Sequence, residues 1–218
     1  DIGYGFDNIA DVLTVSPFLM ECYLAAAAKV SRLAVGDTSL PPTYKVYELQ
    51  RSLVQSDRMN ENLPFGSRGG LAVQHYFPVD GEYVIKIKLQ TGRFDQILGL
   101  NRDKQLDLRL DNKRMKRFTI TADSRGGRAT EVHGEETVAD SHLEVRIPIK
   151  AGTRTVTATL IKDTVKTEGI ISTPGLGLRN RESAFFEGVG DLSIAGPYNI
   201  KGSGITPSRE KVFTCRPS

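Results

Sequence analysis

Carboxylate side chains are the residues whose type most directly suggests a chemistry in this 218-residue chain. Asp and Glu supply the hard oxygen ligands that calcium takes in proteins. Those in segments that read as loops are Asp80, Glu82, Glu131, Glu135, Glu136, Asp140, Glu168, Glu182, Glu187 and Asp191. None of them shows a recognised ligand spacing, so ordinary solvated carboxylates are the alternative interpretation.

No group of residues has the spacing of a known catalytic or redox centre. His75, His133 and His142 lie far apart in the sequence, and a lone histidine among strands is more often structural than a ligand or a base. Cys22 and Cys215 are the two cysteines, and they cannot form a CxxC metal or haem-attachment motif. The sequence leaves open whether they pair in a disulfide or remain free thiols. Nucleophile motifs and phosphate-binding loops are also absent, so the sequence favours a protein that is not an enzyme.

Arginines in long polar segments are a second candidate for function, because loops on a rigid scaffold commonly carry binding. Two such segments, 122–139 and 162–190, contain arginines, and the second also contains two adjacent phenylalanines. Arginine can make bidentate hydrogen bonds with the carboxylates of a partner. A further arginine precedes two glycines, which either let a ligand approach the backbone or form a bulge, and we favour the bulge. The predicted interaction residues are Arg68, Arg179, Arg181, Phe185 and Phe186.

One helix is predicted before the strands. Ser16 and Pro17 form a helix start, with serine as the N-cap, and Gly36 forms the stop. Between them, apolar residues recur at spacings of three and four, which predicts an amphipathic helix over Ser16–Val35. The apolar stripe of this helix consists of Leu19, Tyr23, Ala26, Val30 and Leu33. A single helix cannot bury such a stripe by itself, so we expect it to pack on the strands, on a missing domain or on a partner.

Strands are predicted after the helix, because apolar and polar residues alternate there with a period of two. Turn-forming residues at 78–81, 111–112 and 150–152 predict three antiparallel hairpins. Further strands are expected at 44–54, 192–194 and 212–214. Several short strands after one helix predict a mainly β fold, an antiparallel β-sandwich preceded by an amphipathic α-helix. The expected domain organisation is a helical segment at 1–37, a linker at 38–43 and a sandwich domain at 44–218.

The composition is ordinary for a globular protein, with 39% hydrophobic and 25% charged residues. The net charge of +3 is small, and without a basic run interleaved with aromatics it does not predict binding to nucleic acid. No stretch approaches the ~18 consecutive apolar residues of a transmembrane helix. The chain begins at Asp1 rather than at Met, so we expect a processed product or a piece of a longer protein.

Several segments resemble modules of a known family. Residues 3–35, GYGFDNIADVLTVSPFLMECYLAAAAKVSRLAV, resemble the end of the helical module found in large c-type cytochrome proteins of planctomycetes and related bacteria. The β-sandwich module that follows it in those proteins is similar to the segments LPFGSRGG, FPVDGEY, ADSHLEVRIPIKAG, IAGPYN and VFTCRP of this chain. The order of the segments is the same in both.

The resemblance implies a fold and two candidate functions. The family's sandwich is similar to calcium-dependent, xylan-type carbohydrate-binding modules, so a jelly-roll-like sandwich is expected, with Glu48 and Asp191 at positions that hold calcium. The family's haem modules, with their CxxCH signatures, are absent, so no haem is expected in this chain. The resemblance favours a non-catalytic interaction or structural subunit of a larger, cytochrome-linked electron-transfer assembly, periplasmic or at the cell surface. The alternative is a calcium-dependent carbohydrate-binding module that anchors a surface protein to polysaccharide.

Overall fold

The computed structural model describes residues 15–55, 58–91, 96–97, 103–122, 129–130, 140–161 and 188–215. These residues form a mainly β structure with a helix at each end of the described chain. Its elements are α1 (Pro17–Val35), β1 (Thr43–Glu48), β2 (Ser67–Phe77), β3 (Asp80–Leu89), β4 (Gln96–Ile97), β5 (Lys104–Leu110), β6 (Lys113–Ile120), β7 (Ala129–Thr130), β8 (Glu144–Ile149), β9 (Gly152–Ile161), β10 (Val189–Gly202) and α2 (Pro207–Val212).

The strands form two four-stranded antiparallel sheets and one small pair. The first sheet has the order β1-β10-β3-β8, the second has the order β2-β9-β5-β6, and β4 pairs with β7. The inward-facing side chains of the two large sheets pack against each other as one core, with Phe77, Tyr83, Ile85, Leu106 and Leu192 among its fully buried members. The predicted antiparallel β-sandwich preceded by one helix is therefore confirmed.

The bounds of α1 follow from its two caps. The Ser16 hydroxyl oxygen accepts a hydrogen bond from the Leu19 N–H at 3.2 Å, and proline occupies the first turn. At the other end, Gly36 has a φ of 69°, and its N–H donates to the carbonyl oxygen of Arg32. A Cβ at Gly36 would also lie 2.7 Å from the backbone oxygen of Ser203. Glycine is thus required both for the conformation and for the contact with the segment that follows β10.

The hairpin prediction is confirmed at one of its three turns. β5 and β6 pair across Asp111 and Asn112, which have φ angles of 47° and 64°. The other two hairpins are wrong, because β2 and β9 belong to the second sheet while β3 and β8 belong to the first. The connections at 78–79 and 150–151 therefore cross from one sheet to the other. Two strands that face each other across a core show the same alternation as two paired strands, so the pattern did not distinguish the two arrangements.

Three further strand predictions need correction. The strand expected at 44–54 ends at Glu48, and the strand expected at 192–194 is the middle of the 14-residue β10. The strand expected at 212–214 is wrong, since Val212 ends α2. α2 begins with Thr206 and Pro207, a helix start of the same kind as Ser16 and Pro17 in α1. The Thr206 hydroxyl oxygen accepts a hydrogen bond from the Arg209 N–H at 3.2 Å.

The glycine pair after Arg68 forms a β-bulge, as expected. The pairing of β2 with β9 shifts register between Arg68 and Leu71. Gly69 and Gly70 both have positive φ, and a Cβ at Gly70 would lie 2.6 Å from the backbone oxygen of Ala158. The glycines therefore serve the backbone geometry of the second sheet.

The described part of the chain contains no helix with both the length and the hydrophobicity needed to cross a bilayer. Cys22, in α1, and Cys215, after α2, are exposed free thiols.

Candidate functional site

Glu48 and Asp191 lie opposite each other on neighbouring strands. They are register partners at the end of the pairing of β1 with β10, and Asp191 is also the partner of Lys88 on β3. Three charged side chains are thus held in one row across three strands. They line a cleft of about 270 Å³ together with Arg51 and Asp140. The sheet register brings together Glu48 and Asp191, which are 143 positions apart in the sequence.

Asp140 contributes a third carboxylate to this cleft from the segment that precedes β8. Its side chain is buried and accepts a hydrogen bond from the Leu89 N–H at 3.3 Å. Its backbone oxygen accepts from the Leu143 N–H at 2.9 Å. These two bonds fix the position of Asp140 beside the end of β3.

The cleft has an excess of negative charge around Asp191. Burial raises the pKa of the Asp191 carboxyl above its ordinary value, and the neighbouring Glu48 and Asp140 raise it further. Lys88 and Lys86 oppose this shift without reversing it. Burial and two neighbouring carboxylates both disfavour the charged form of Asp191, so a bound cation would stabilise that charge.

A buried amide network lies behind this cleft and fixes its wall. Gln55 is fully buried, and its Oε1 accepts from the N–H groups of Gly70, at 2.9 Å, and Val189, at 3.1 Å. Its Nε2 donates to the carbonyl oxygen of Val189 and to Oε1 of Gln90. Gln90, which also lines the cleft, donates from Nε2 to backbone oxygens of the 49–55 segment. The network joins both sheets to the segment that carries Arg51.

The arrangement fits a calcium ion only in part. Calcium takes six to eight oxygen ligands, and Glu48 with Asp191 supplies two carboxylates. Within the residues that the structure describes, no three His, Cys, Asp or Glu side chains converge as metal ligands. A calcium site here would need further oxygen ligands, so calcium at Glu48 and Asp191 stays a prediction.

Arg68, the one other predicted site residue that the structure describes, does not line this cleft. Arg68 is half-buried in β2 and is the register partner of Leu160. Arg179, Arg181, Phe185 and Phe186 lie outside the described residues, as do Glu131, Glu135, Glu136, Glu168, Glu182, Glu187 and His133. The interaction site predicted on these arginines and phenylalanines stays a prediction.

Two of the predicted loop carboxylates form ion pairs at the edge of the first sheet. Asp80 accepts from the Lys150 ammonium and from the Ala151 N–H, both at 2.7 Å. Glu82 accepts from the Arg146 guanidinium at 2.7 Å. Their position between β3 and the neighbouring β8 explains them as structural residues.

The described histidines each have a hydrogen-bond partner. His75 Nδ1 lies 2.8 Å from the hydroxyl of Tyr47, and His142 Nε2 lies 3.0 Å from the backbone oxygen of Thr119. Burial lowers the pKa of His75, and the charge of Lys45 lowers it further. His75 is therefore neutral at pH 7.

The apolar stripe of α1 is exposed along most of its length. None of the 19 residues of the helix is buried. The exposed fractions are 41% for Leu19, 57% for Tyr23 and 64% for Val30. The end of α1 contacts the sandwich, where the Tyr76 hydroxyl donates to the Leu33 backbone oxygen at 3.3 Å. Packing on the strands, one of the three alternatives expected for the stripe, is therefore not found for Leu19, Tyr23 and Val30 in the described part of the chain.

The helix α2 lies beside this end of α1. Arg209 donates from its guanidinium to the backbone oxygen of Val35. Val212 and Phe213, at the end of α2, are exposed like the stripe of α1. The two neighbouring helices thus both carry exposed apolar side chains.

Sequence reasoning missed Asp140 as a cleft residue, and it missed Gln55 and Gln90 altogether. Asp140 was one of ten loop carboxylates with no feature that set it apart. The polar residues at 55–62 are typical of a loop, and a glutamine in a loop carries no signal of burial. Only the packing of two sheets around it makes its amide necessary.

The fold and the cleft define an antiparallel β-sandwich with an exposed N-terminal helix. Residues 1–36 match the model of PSD3, a protein family of unknown function (DUF1587). Among solved structures, the chain is similar to a family 35 carbohydrate-binding module (CBM35) from Cellvibrio japonicus Abf62, with a sequence identity of 10% and a TM-score of 0.36. The similarity covers 72% of this chain and 95% of that module. A family 35 carbohydrate-binding module from Clostridium thermocellum gives 10% identity, 71% and 98% coverage, and a TM-score of 0.30. A likeness of this degree does not say what the present chain binds. No curated protein matches the chain.

Proposed function

We propose that this chain is a non-catalytic interaction module that docks a protein partner through α1 and α2. The observation that carries the proposal is that a helix of 19 residues with an apolar stripe has no buried residue. Most of the stability of helices in proteins comes from packing of an amphipathic face rather than from intrinsic propensity. A partner that covers the stripe would supply that burial.

The charges beside the stripe indicate the chemistry of the partner. Lys29, Arg32, Arg209 and Lys211 on the two helices outnumber Glu21 and Glu210. A complementary partner therefore presents an apolar face with an acidic rim, because rim charges of opposite sign favour encounter and fix the register of docking. The resemblance to modules of large cytochromes supports placing that partner in a cytochrome-linked electron-transfer assembly, in the periplasm or at the cell surface.

Site-specific photo-crosslinking in the native host tests this proposal. A photoreactive residue in place of Tyr23, on the stripe, is expected to give one main cross-linked partner. The control position is Thr119, which is exposed on β6. The partner is then identified by mass spectrometry, and its haem is measured by absorbance of the purified complex.

Binding of the purified partner gives the decisive measurement. Leu19→Glu and Val30→Glu are each expected to weaken it by at least about tenfold, since a charge would be buried in an apolar contact. Thr119→Glu is expected to leave it unchanged. Equal cross-linking from both positions, or a stripe covered only by a second copy of the chain, would overturn the proposal.

A second candidate function is calcium-dependent binding of polysaccharide. It is favoured by the cleft, where Glu48 and Asp191 face each other and Asp140 adds a third negative charge. The resemblance to xylan-type modules supports a glycan as the ligand. Millimolar calcium is then expected to raise the melting temperature by mass action, and a chelator is expected to reverse the effect.

Matched variants and a glycan test this second candidate. Asp191→Asn and Glu48→Gln are expected to abolish the calcium effect, whereas Glu144→Gln, at an exposed position in β8, keeps it. Calcium-loaded protein is expected to sediment with insoluble xylan, and chelated protein is not. Identical melts with chelator and with calcium would remove this candidate.

A further inference from the structure

A cleft of about 450 Å³ lies between α1 and the sandwich. Its walls are apolar, with Ala25, Ala28 and Leu33 from the helix and Pro78, Tyr83 and Pro197 from the sandwich. Its volume is in the range of small-molecule sites, about 300–1,000 Å³, and predominantly apolar walls are typical of such sites. The cleft is thus large enough for a small organic ligand.

The cleft and the exposed stripe residues Leu19, Tyr23 and Val30 are on different sides of α1, and the two faces meet at Leu33. Residues advance by about 100° around a helix, which places the cleft-lining helical positions on a face about 120° away from Leu19, Tyr23 and Val30. None of those three residues lines the cleft. A ligand in the cleft would therefore leave Leu19, Tyr23 and Val30 uncovered, although it would share Lys29 and Arg32 with the charged rim proposed for the partner.

The polar groups of the cleft are cationic or neutral. Lys29 and Arg32 lie three positions apart on the cleft-lining face of α1. Among the residues that the structure describes, no Asp or Glu lines the cleft. Arg32 has Asp37 at 3.8 Å, but the arginine side chain is 68% exposed, so this ion pair is weak and leaves the guanidinium available.

His75 also lines the cleft, and two contacts hold its ring in place. Its Nδ1 is held by the Tyr47 hydroxyl at 2.8 Å, and its ring lies edge-on to Phe77 with the ring centroids 4.6 Å apart. The neutral imidazole and the ring of Tyr83 are flat surfaces in the lining on which an apolar group can pack.

We propose that this cleft binds a small amphipathic carboxylate. The apolar body of the ligand packs between α1 and the sandwich, and its carboxylate binds Lys29 and Arg32. A planar carboxylate matches the paired donors of a guanidinium. An amphipathic amine would meet two positive charges in the described lining, so that lining selects against it.

Isothermal titration calorimetry of the whole chain with three ligands of equal length tests the charge requirement. Decanoate, decanol and decylammonium are compared below their critical micelle concentrations. Decanoate is expected to bind with one site per chain, and decylammonium at least about tenfold more weakly. Lys29→Gln combined with Arg32→Gln is expected to remove this preference, whereas Lys113→Gln, exposed on β6, is expected to keep it. Equal binding of all three ligands would overturn the proposal.

A pair of tryptophan variants tests the location. Ala28→Trp fills the cleft and is expected to abolish decanoate binding, whereas Ala27→Trp, at the adjacent exposed position outside the cleft, is expected to preserve it. Loss of binding in Leu19→Glu, with Ala28→Trp unaffected, would place the ligand on the stripe and overturn the proposal. Because Leu19→Glu acts on partner docking alone, the two functions can fail separately.

Discussion

Replacing Gln55 by methionine is expected to destabilise the fold, because the buried amide joins the two sheets at the base of the cleft. Methionine has a similar length and flexibility, so it fills most of the same space without the hydrogen bonds. The N–H groups of Gly70 and Val189 would then lose their acceptor. The change removes polar contacts and leaves the apolar packing of the core largely as it is.

The magnitude follows from the two orphaned donors. A buried N–H left without a partner costs about 1–3 kcal/mol, so the two at Gly70 and Val189 together give about 4 kcal/mol. In a chain of this size, 1 kcal/mol corresponds to about 2–4 °C, which predicts a melting temperature lower by roughly 8–16 °C. Gln55→Ala is expected to lose more, because it also leaves a cavity.

Urea denaturation and thermal melts followed by circular dichroism measure the effect. Gln74→Met is the matched control, since Gln74 is exposed on β2 and surface substitutions usually change stability by within about 0.5 kcal/mol. If Gln55→Met also stays within about 0.5 kcal/mol of the parent, the amide network does not hold the sheets together, and this reasoning is wrong.

Three further predictions concern the bulge, the charged cleft and the helix. In urea titrations, Gly70→Ala is expected to lose about 1–3 kcal/mol more stability than Gly152→Ala. The two glycines have similar φ angles, 116° and 119°, but only at Gly70 would a Cβ press against backbone atoms. Equal losses in the two variants would contradict this prediction. Asp191→Asn is expected to raise the melting temperature at pH 7 in chelator, because a raised carboxyl pKa means that stability is lost as pH rises through the folded-state pKa. This gain in melting temperature should shrink as the pH falls towards the ordinary carboxyl pKa near 3.8. Glu48→Gln should also reduce the gain, since Glu48 helps to raise the pKa of Asp191. A gain that does not change with pH would refute the raised pKa of Asp191 as its cause. Leu19→Ala is expected to change the stability of the isolated chain by less than about 0.5 kcal/mol, because Leu19 is 41% exposed. A loss of about 2–5 kcal/mol, as is typical of a buried leucine, would show that the apolar face of α1 is covered.

The sequence by itself determined the local elements. Ser16, Pro17 and Gly36 set the bounds of α1 because each acts on its own neighbouring backbone. The alternation in β3, with Tyr83, Ile85 and Ile87 on one face, identified the side that enters the core. Both kinds of signal depend on residues close together in the chain, so no knowledge of the fold was needed. The β-sandwich followed from the number of such strands.

Only the tertiary structure decided which strands pair and which side chains meet. Alternation says that two strands bury one face each, but a paired neighbour and a strand across the core satisfy that condition equally. This is why two predicted hairpins became crossings between sheets, and why the ends of β1, β3 and β10 meet at one charged cleft. The exposure of α1 could not be predicted for a similar reason. The helical period of the sequence specifies an apolar face, but it does not specify whether another part of the chain covers that face.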